Sequence, residues 1–283
     1  MKLKLIECPR DAMQGISEFI PTALKAEYIN KLLKVGFDTI DFGSFVSPKA
    51  IPQMQDTKEV LKLLDLTSTP SKLLAITANL RGAEDAVQFE EIHYLGFPFS
   101  VSETFQRRNT NSTIAESFDT LAQIQSLCMK NGKELVVYLS MGFGNPYGDE
   151  WNSDIVSYWA DRLNSIGIKT MALSDTIGVS TPDTISYLFS SLRNNHPELE
   201  FGVHLHSTPN TQLEKIEAAW QSGCYRFDSA LKGYGGCPMA KDELTGNIAT
   251  ESIISFFQKK NIDLGLDLNT WQDAMEFASR IFH

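Results

Sequence analysis

Phe201-Gly202-Val203-His204-Leu205-His206 reads as a β-strand: apolar and aromatic residues without proline, bounded by Glu200 and by Ser207-Thr208-Pro209. Side chains alternate along a strand, so His204 and His206 share one face and Leu205 takes the other. Two of the five histidines of the chain lie here. Such a pair is either two half-buried, hydrogen-bonded imidazoles or part of a metal site. The position of this strand among the others decides between them.

Outward from it, short apolar segments alternate with amphipathic ones along the whole chain. Strands are expected at 3–7, 39–42, 73–77, 92–96 with the apolar run to 101, 135–139, 170–173, 201–206 and 225–228. Helical spacing of apolar residues is expected over 22–35, 53–64, 83–89, 114–130, 155–166, 182–193, 213–221 and 250–259, with one further helix at 271–281. Gly36, Asn131-Gly132, Gly167 and Gly223 supply stop signals, and Thr181-Pro182 an N-terminal one. Eight strand units, each followed by a helix, imply a closed parallel (β/α)8 TIM barrel with an additional C-terminal helical segment. Residues 1–283 form one domain in this reading. A doubly wound open sheet would show a G-x-G-x-x-G turn after an early strand. The glycine-rich turn of this chain, at 233–236, instead follows the last strand.

Composition narrows the function classes. Of 283 residues, 42% are hydrophobic and 21% charged, as a soluble chain with a sizeable core requires, and the formal charge is −10. That sign argues against sequence-independent nucleic-acid binding. No apolar run reaches the roughly 18–20 residues of a membrane span. The first residues are too short and charged an apolar stretch for a secretion signal, so a cytoplasmic location is expected. Cys8, Cys128, Cys224 and Cys237 lack C-x-x-C spacing and read as free thiols.

A barrel places its chemistry at the C-terminal ends of its strands. Those ends carry Arg10, Asp11 and Gln14 after the first strand, then Asp41 and Ser44, Asn79, Glu103, Ser140, Asp175, the two histidines and Asp228. Cys237 and Asn247 follow in the last loop. Gln14, Ser44, Asn79 and Asp175 are the substrate-binding candidates among them. His204 and His206 with a carboxylate such as Asp11 can bind a divalent metal, and Asn247 can add a carbonyl oxygen. Mixed nitrogen and oxygen donors suit Mg²⁺ or Mn²⁺, with Zn²⁺ as an alternative. A surface turn is the other reading of Asp11 and Asn247. Arg10 is either one half of an ion pair or a group that stabilises an oxyanion. Cys237, in Tyr234-Gly235-Gly236-Cys237-Pro238, is either a small buried residue or a thiol on a closing loop.

The motifs then resemble one family. Cys8-Pro9-Arg10-Asp11-Ala12-Met13-Gln14 is similar to the opening R-D-x-x-Q of the metal-dependent TIM-barrel lyases. Gly43-Ser44-Phe45-Val46-Ser47-Pro48-Lys49 with Pro52-Gln53-Met54 resembles the hydroxymethylglutaryl-CoA lyase family. So do Asn145-Pro146-Tyr147, Asp175-Thr176-Ile177-Gly178, Gly235-Gly236-Cys237-Pro238-Met239-Ala240 and Gly246-Asn247-Ile248-Ala249-Thr250-Glu251. The resemblance implies cleavage of 3-hydroxy-3-methylglutaryl-CoA to acetyl-CoA and acetoacetate on an acyl-CoA thioester site. It implies Asp11, His204, His206 and Asn247 as metal ligands and Arg10, Cys237, Asp41 and His204 as catalytic groups. Asp175 would lie in the substrate site. The chain departs from the family at Asp41, where Glu is usual, at Ser207, where Asp is common, at Ala12-Met13 for Gly-Leu and at Met141 for Cys. Two rivals are a 2-alkylmalate-synthase-like condensing enzyme and a paralogue that binds metal and thioester without turnover. A homodimer contact through the aromatics of the last helix is set against simple packing of that helix. Arg107-Arg108 is read either as a CoA-phosphate contact or as a solvated charge pair.

Overall fold

A computed structural model describes residues 2–236 and 245–282. Eight parallel strands form the barrel: β1 (Lys4–Glu7), β2 (Thr39–Ser44), β3 (Lys72–Ile76), β4 (Ile92–Ser100), β5 (Glu134–Ser140), β6 (Thr170–Asp175), β7 (Glu200–Ser207) and β8 (Arg226–Ser229). Neighbours in sequence pair in parallel, with register shifts at Asp41/Gly43 and Leu73/Leu74; β8 returns to β1 and β6 pairs β7, so no edge remains between them. A short ninth strand, β9 (Gly246–Asn247), pairs antiparallel with the end of β7. Its register sets Asn247 opposite His206.

The helices are α1 (Pro9–Gln14), α2 (Thr22–Leu33), α3 (Thr57–Lys62), α4 (Leu80–Ala86), α5 (Glu103–Thr110), α6 (Ile114–Lys130), α7 (Ser153–Ser165), α8 (Pro182–Asn195), α9 (Gln212–Gln221), α10 (Thr250–Lys259) and α11 (Leu268–Ala278). Each long helix buries one apolar stripe on the outside of the barrel. In α6 that stripe is Ile114, Phe118, Leu121, Ile124 and Cys128. Outward strand residues such as Phe97, Phe99, Leu139 and Phe227 complete this layer. Inside the barrel a smaller cluster of Leu74, Ile76, Tyr94, Val136, Tyr138 and Ala172 fills the middle. Arg226 lies across the lower end, fully buried, and a Cβ on Gly202 would meet its side chain at 2.8 Å. Glycine is therefore what lets the arginine cross β7.

The expected eight βα units are all present, and their single barrel is the (β/α)8 fold. The helix expected over 53–64 is a 3-10 turn (Pro52–Met54) followed by the shorter α3. Two helices were not expected, α1 and α5. Both are short, polar and without an apolar stripe, so hydrophobic periodicity cannot report them. Of the two readings of the last helix, packing is the one seen: Trp271 and Phe277 are buried, and Trp271 packs edge-on to Phe37. These aromatics face their own barrel.

Candidate active site

A cavity of about 390 Å³ opens at the C-terminal ends of the strands, walled by Arg10, Asp11, Gln14, His204 and His206 on its polar side. Val46, Ile51, Ile76, Ala78 and Pro98 supply an apolar side, and Asn109, Thr110, Ser140, Ser174 and Thr176 add neutral polar groups. α1 explains the first cluster. With Pro9 at its first turn, it sets Arg10, Asp11 and Gln14 on adjoining positions of one and a half turns.

Arg10 is buried and gripped on three sides. Its Nε donates to both Asp41 oxygens at 3.1 and 3.2 Å, and Nη2 to Asp41 Oδ2 at 2.5 Å. Nη1 donates to Asp11 Oδ1 at 2.9 Å and to Gln14 Oε1 at 3.0 Å. A guanidinium has five N–H donors. These contacts use four, and one N–H of Nη2 is left over. Burial disfavours the guanidinium charge, but Asp41 and Asp11 outweigh it and hold the Arg10 pKa above its ordinary value.

Asp41 lies behind Arg10, not in the cavity. It is fully buried, both oxygens are taken by the guanidinium, and it is absent from the cavity wall. Burial raises its carboxyl against the pull of Arg10, to about 6. The structure thus places Asp41 against Arg10, as the anchor of its guanidinium, and not on the cavity wall. Asp11 differs. Burial would raise it, but Arg10 and the two imidazoles outweigh burial and lower it to about 2.

The histidines complete the cluster. His206 Nδ1 faces the carbonyl of Thr176 at 2.9 Å. A carbonyl only accepts, so Nδ1 carries the proton and Nε2 keeps its lone pair. That Nε2 is buried and without a partner among the described residues. His204 Nδ1 faces Asp228 Oδ2 at 3.3 Å, which again leaves Nε2. Burial lowers the His204 pKa, but the Asp228 contact outweighs it and raises the value. Burial, with the neighbouring His204, lowers that of His206. Ligand atoms of Asp11, His204 and His206 lie within 4.8 Å of one another. Asn247 Nδ2 donates to Asp11 Oδ2 at 2.6 Å and to the Tyr234 carbonyl at 2.8 Å, so its amide abuts this set.

A divalent cation fits these residues on two counts. The orphaned Nε2 of His206 is a buried donor of electrons with nothing to receive them. Two buried carboxylates, Asp11 and Asp41, also share one guanidinium, Arg10. A dication offsets that imbalance, which burial makes costly.

The other expected site residues fall elsewhere. Ser44 is buried and donates to the Ile76 carbonyl, behind the cavity wall. Asn79 is exposed and caps α4 by accepting from the Gly82 N–H at 2.8 Å. Asp175 is buried under Lys215 at 2.9 Å and accepts from the N–H groups of Val179 and Ser180. These three hold strand ends and loops in place, and none walls the cavity; Gln14 does. Arg107 pairs with Glu103, and Arg108 lies over the Tyr147 ring. Cys237 lies outside the described residues. The loop before it does approach the site: at Gly235 (φ +85°) a Cβ would come within 2.6 Å of the Asp11 carbonyl and 2.9 Å of Asn247 Nδ2. Only glycine can pass there. Sequence reasoning placed Asp228 on the catalytic face without a role. Its partner is the histidine that β-pairing sets beside it.

Comparison with known proteins agrees with this geometry. The family model described as HMGL-like matches residues 3–277. The mitochondrial hydroxymethylglutaryl-CoA lyase of Mus musculus is 33% identical over 280 residues, covering 98% of this chain and 84% of the mouse protein. The (R)-citramalyl-CoA lyase of Chloroflexus aurantiacus is 29% identical, covering 96% and 88%. A solved HMG-CoA lyase from Acinetobacter baumannii, in complex with coenzyme A and 3-methylmalate, superposes with a TM-score of 0.90 at 30% identity, covering 99% of this chain and 91% of that one. With a family match along nearly its whole length and relatives of this similarity over the whole barrel, the chain belongs to the HMGL-like family.

Proposed function

We propose that this protein is a divalent-metal-dependent carbon–carbon lyase that cleaves 3-hydroxy-3-methylglutaryl-CoA to acetyl-CoA and acetoacetate. The observation that carries the reading is the convergence of Arg10, Asp11, His204 and His206 on one cavity wall. The N/O donor set, without thiolate, suits Mg²⁺ or Mn²⁺. Asp11, His204, His206 and the amide oxygen of Asn247 would hold the cation, which when bound acidifies a coordinated hydroxyl and polarises oxygen.

The chain's own groups account for the rest. In a retro-Claisen cleavage the tertiary hydroxyl gives its proton to a base, here water in the open cavity, the C2–C3 bond breaks, and its electrons pass to the thioester as an enolate. The spare N–H of Arg10 would donate to that developing oxygen, while Asp41 holds the guanidinium still. With Nδ1 of His204 committed to Asp228, its single remaining nitrogen cannot both ligate a cation and take a proton. We assign it to the cation. Cys237 remains the candidate acid that protonates the acetyl-CoA carbanion. The apolar side of the cavity, with Val46, Ile51 and Pro98, suits the C3 methyl group and the thioester arm.

The test is to incubate the purified chain with Mn²⁺ and either the hydroxymethylglutaryl or the citramalyl thioester, and to follow acetyl-CoA release. Preferential turnover of the first supports the proposal. Preference for the second assigns the chain to the other relative's substrate. No release from either, with binding of both, favours the non-catalytic paralogue.

A further inference from the structure

The two imidazoles are anchored differently. His206 donates Nδ1–H to a backbone carbonyl, that of Thr176. His204 donates to a side-chain carboxylate, Asp228, across adjacent strands that hold the two residues in register. The Asp228 side chain is wholly buried. Among the described residues its one ion-pair partner is His204, and its Oδ1 has no hydrogen-bond partner. This carboxylate is therefore committed to one imidazole, from a position set by strand pairing and not by a flexible loop.

We infer that Asp228 is a positioning residue that fixes His204 as its Nδ1–H tautomer and so sets the affinity of the site for a divalent cation. The inference rests on the metal reading above. A neutral imidazole has one N–H and one lone pair, and an ionised carboxylate can only accept. Asp228 therefore pins the proton on Nδ1 and turns the Nε2 lone pair toward Asp11 and His206. A carboxylate behind an imidazole also makes it a more basic ligand. The carbonyl behind His206 does the first but much less of the second. His204 is the stronger of the two ligands on this account. The nearby Cys8 thiol, within 4.8 Å of both groups, is too weak a partner to select a tautomer.

Asparagine at 228 keeps the shape but can present an amide donor, which would move the imidazole proton to Nε2 and aim it at the cation. The experiment uses the full chain stripped of cations, as wild type, Asp228→Asn and Asp228→Glu. Mn²⁺ is titrated by calorimetry, and the imidazole tautomers are read by ¹⁵N NMR at about pH 8.5, where an ordinary imidazole is neutral. The expected result is an Nδ1–H tautomer at His204 in the wild type. In Asp228→Asn it is lost, with Mn²⁺ binding weakened about 10- to 100-fold and the His206 signals unmoved. Asp228→Glu should recover part of the affinity. An Nε2–H tautomer at His204 in the wild type overturns the inference, as does Mn²⁺ binding by Asp228→Asn within about twofold of wild type. A wild type that binds no Mn²⁺ removes the metal reading and this inference together. Binding that is indifferent to residue 228 removes the inference alone. Should Asp228→Asn fail to fold, the wild-type tautomer decides.

Discussion

Arg10 shows how firmly a single side chain of the cavity wall is held. Four of its donors are spent on holding it still, and Asp41 takes the bidentate share. A charge so placed need not reorganise when an enolate oxygen forms beside it, and this is what makes fixed donors effective. Arg10→Lys keeps the charge but has no fork for Asp41 to grip. Steady-state kinetics with the hydroxymethylglutaryl thioester should show kcat down about 10²- to 10³-fold, with KM changed far less. A rise in KM alone would mean that Arg10 only binds substrate. Asp41→Asn tests the anchor from the other side. It leaves the buried guanidinium short of a charge partner, and losing one member of a buried pair costs about 3–5 kcal/mol. Urea unfolding reads this directly, and a loss below about 1 kcal/mol would place the pair among weak surface-like contacts. The aspartate in place of the family's usual glutamate thus has a physical place, with its short side chain seated squarely on the arginine.

Glu7 does at the scale of elements what Asp41 does for one residue. It ends β1 yet points away from the barrel axis, where the Leu231 N–H and the Thr250 hydroxyl meet it at 2.8 and 2.5 Å. It thereby ties β1 to the segment after β8 and to the first residue of α10. The Thr250 hydroxyl also lies 2.9 Å from the Ser229 hydroxyl, so the three groups form one buried chain of hydrogen bonds. The chain can run either way: Ser229 to Thr250 to an ionised Glu7, or a protonated Glu7 to Thr250 to Ser229. Burial does raise this carboxyl, from an ordinary 4.5 to about 8, against the opposing hydrogen bonds. The folded state so keeps a proton that the unfolded chain releases above about pH 4.5. Its contribution is complete below that pH and is lost as pH rises through 8. Melting temperatures measured from pH 5 to 9 should fall in the wild type and fall less steeply in Glu7→Gln; parallel curves would show Glu7 ionised throughout. Glu7 was not legible in the sequence, because a strand residue's burial partners come from 220 or more positions away. α1 and α5 escaped for a different reason, since neither has an apolar stripe to read. The long helices announced themselves by stripe and cap. In α6, Thr113 and Glu116 form a reciprocal capping box, and Thr113→Ala should cost about 1 kcal/mol in urea unfolding with turnover unchanged.

At the scale of the molecule, closing eight strands into a ring gathers residues as distant in sequence as Asp11 and Asn247 on one face. The strand count and the polar ends of the strands made that face legible before any contact was known. Which polar residues look inward was not legible, since Asn79, Asp175 and Ser44 occupy equivalent strand ends but serve caps and loops. The distinction lies in what each carboxylate or amide meets, and only packing decides it. Packing also concentrates charge: Asp11 and Asp41 are both buried around the one Arg10 guanidinium, with the His206 Nε2 orphaned beside them. A chain that buries such an excess is less stable than its hydrophobic core alone would make it, and a dication bound only by the folded state restores part of the difference. At a free concentration near 100 times Kd the gain is about 2.7 kcal/mol, which for a chain of this size corresponds to roughly 5–10 °C in melting temperature. Chelator-treated protein should therefore melt lower than protein given excess Mn²⁺, and the gap should grow with Mn²⁺ concentration. His206→Ala removes the orphaned nitrogen and should abolish most of the gap while leaving the chelated melting point near that of the wild type. An equal Mn²⁺ gain in His206→Ala would place the cation elsewhere on this acidic chain and leave the face of the barrel without it.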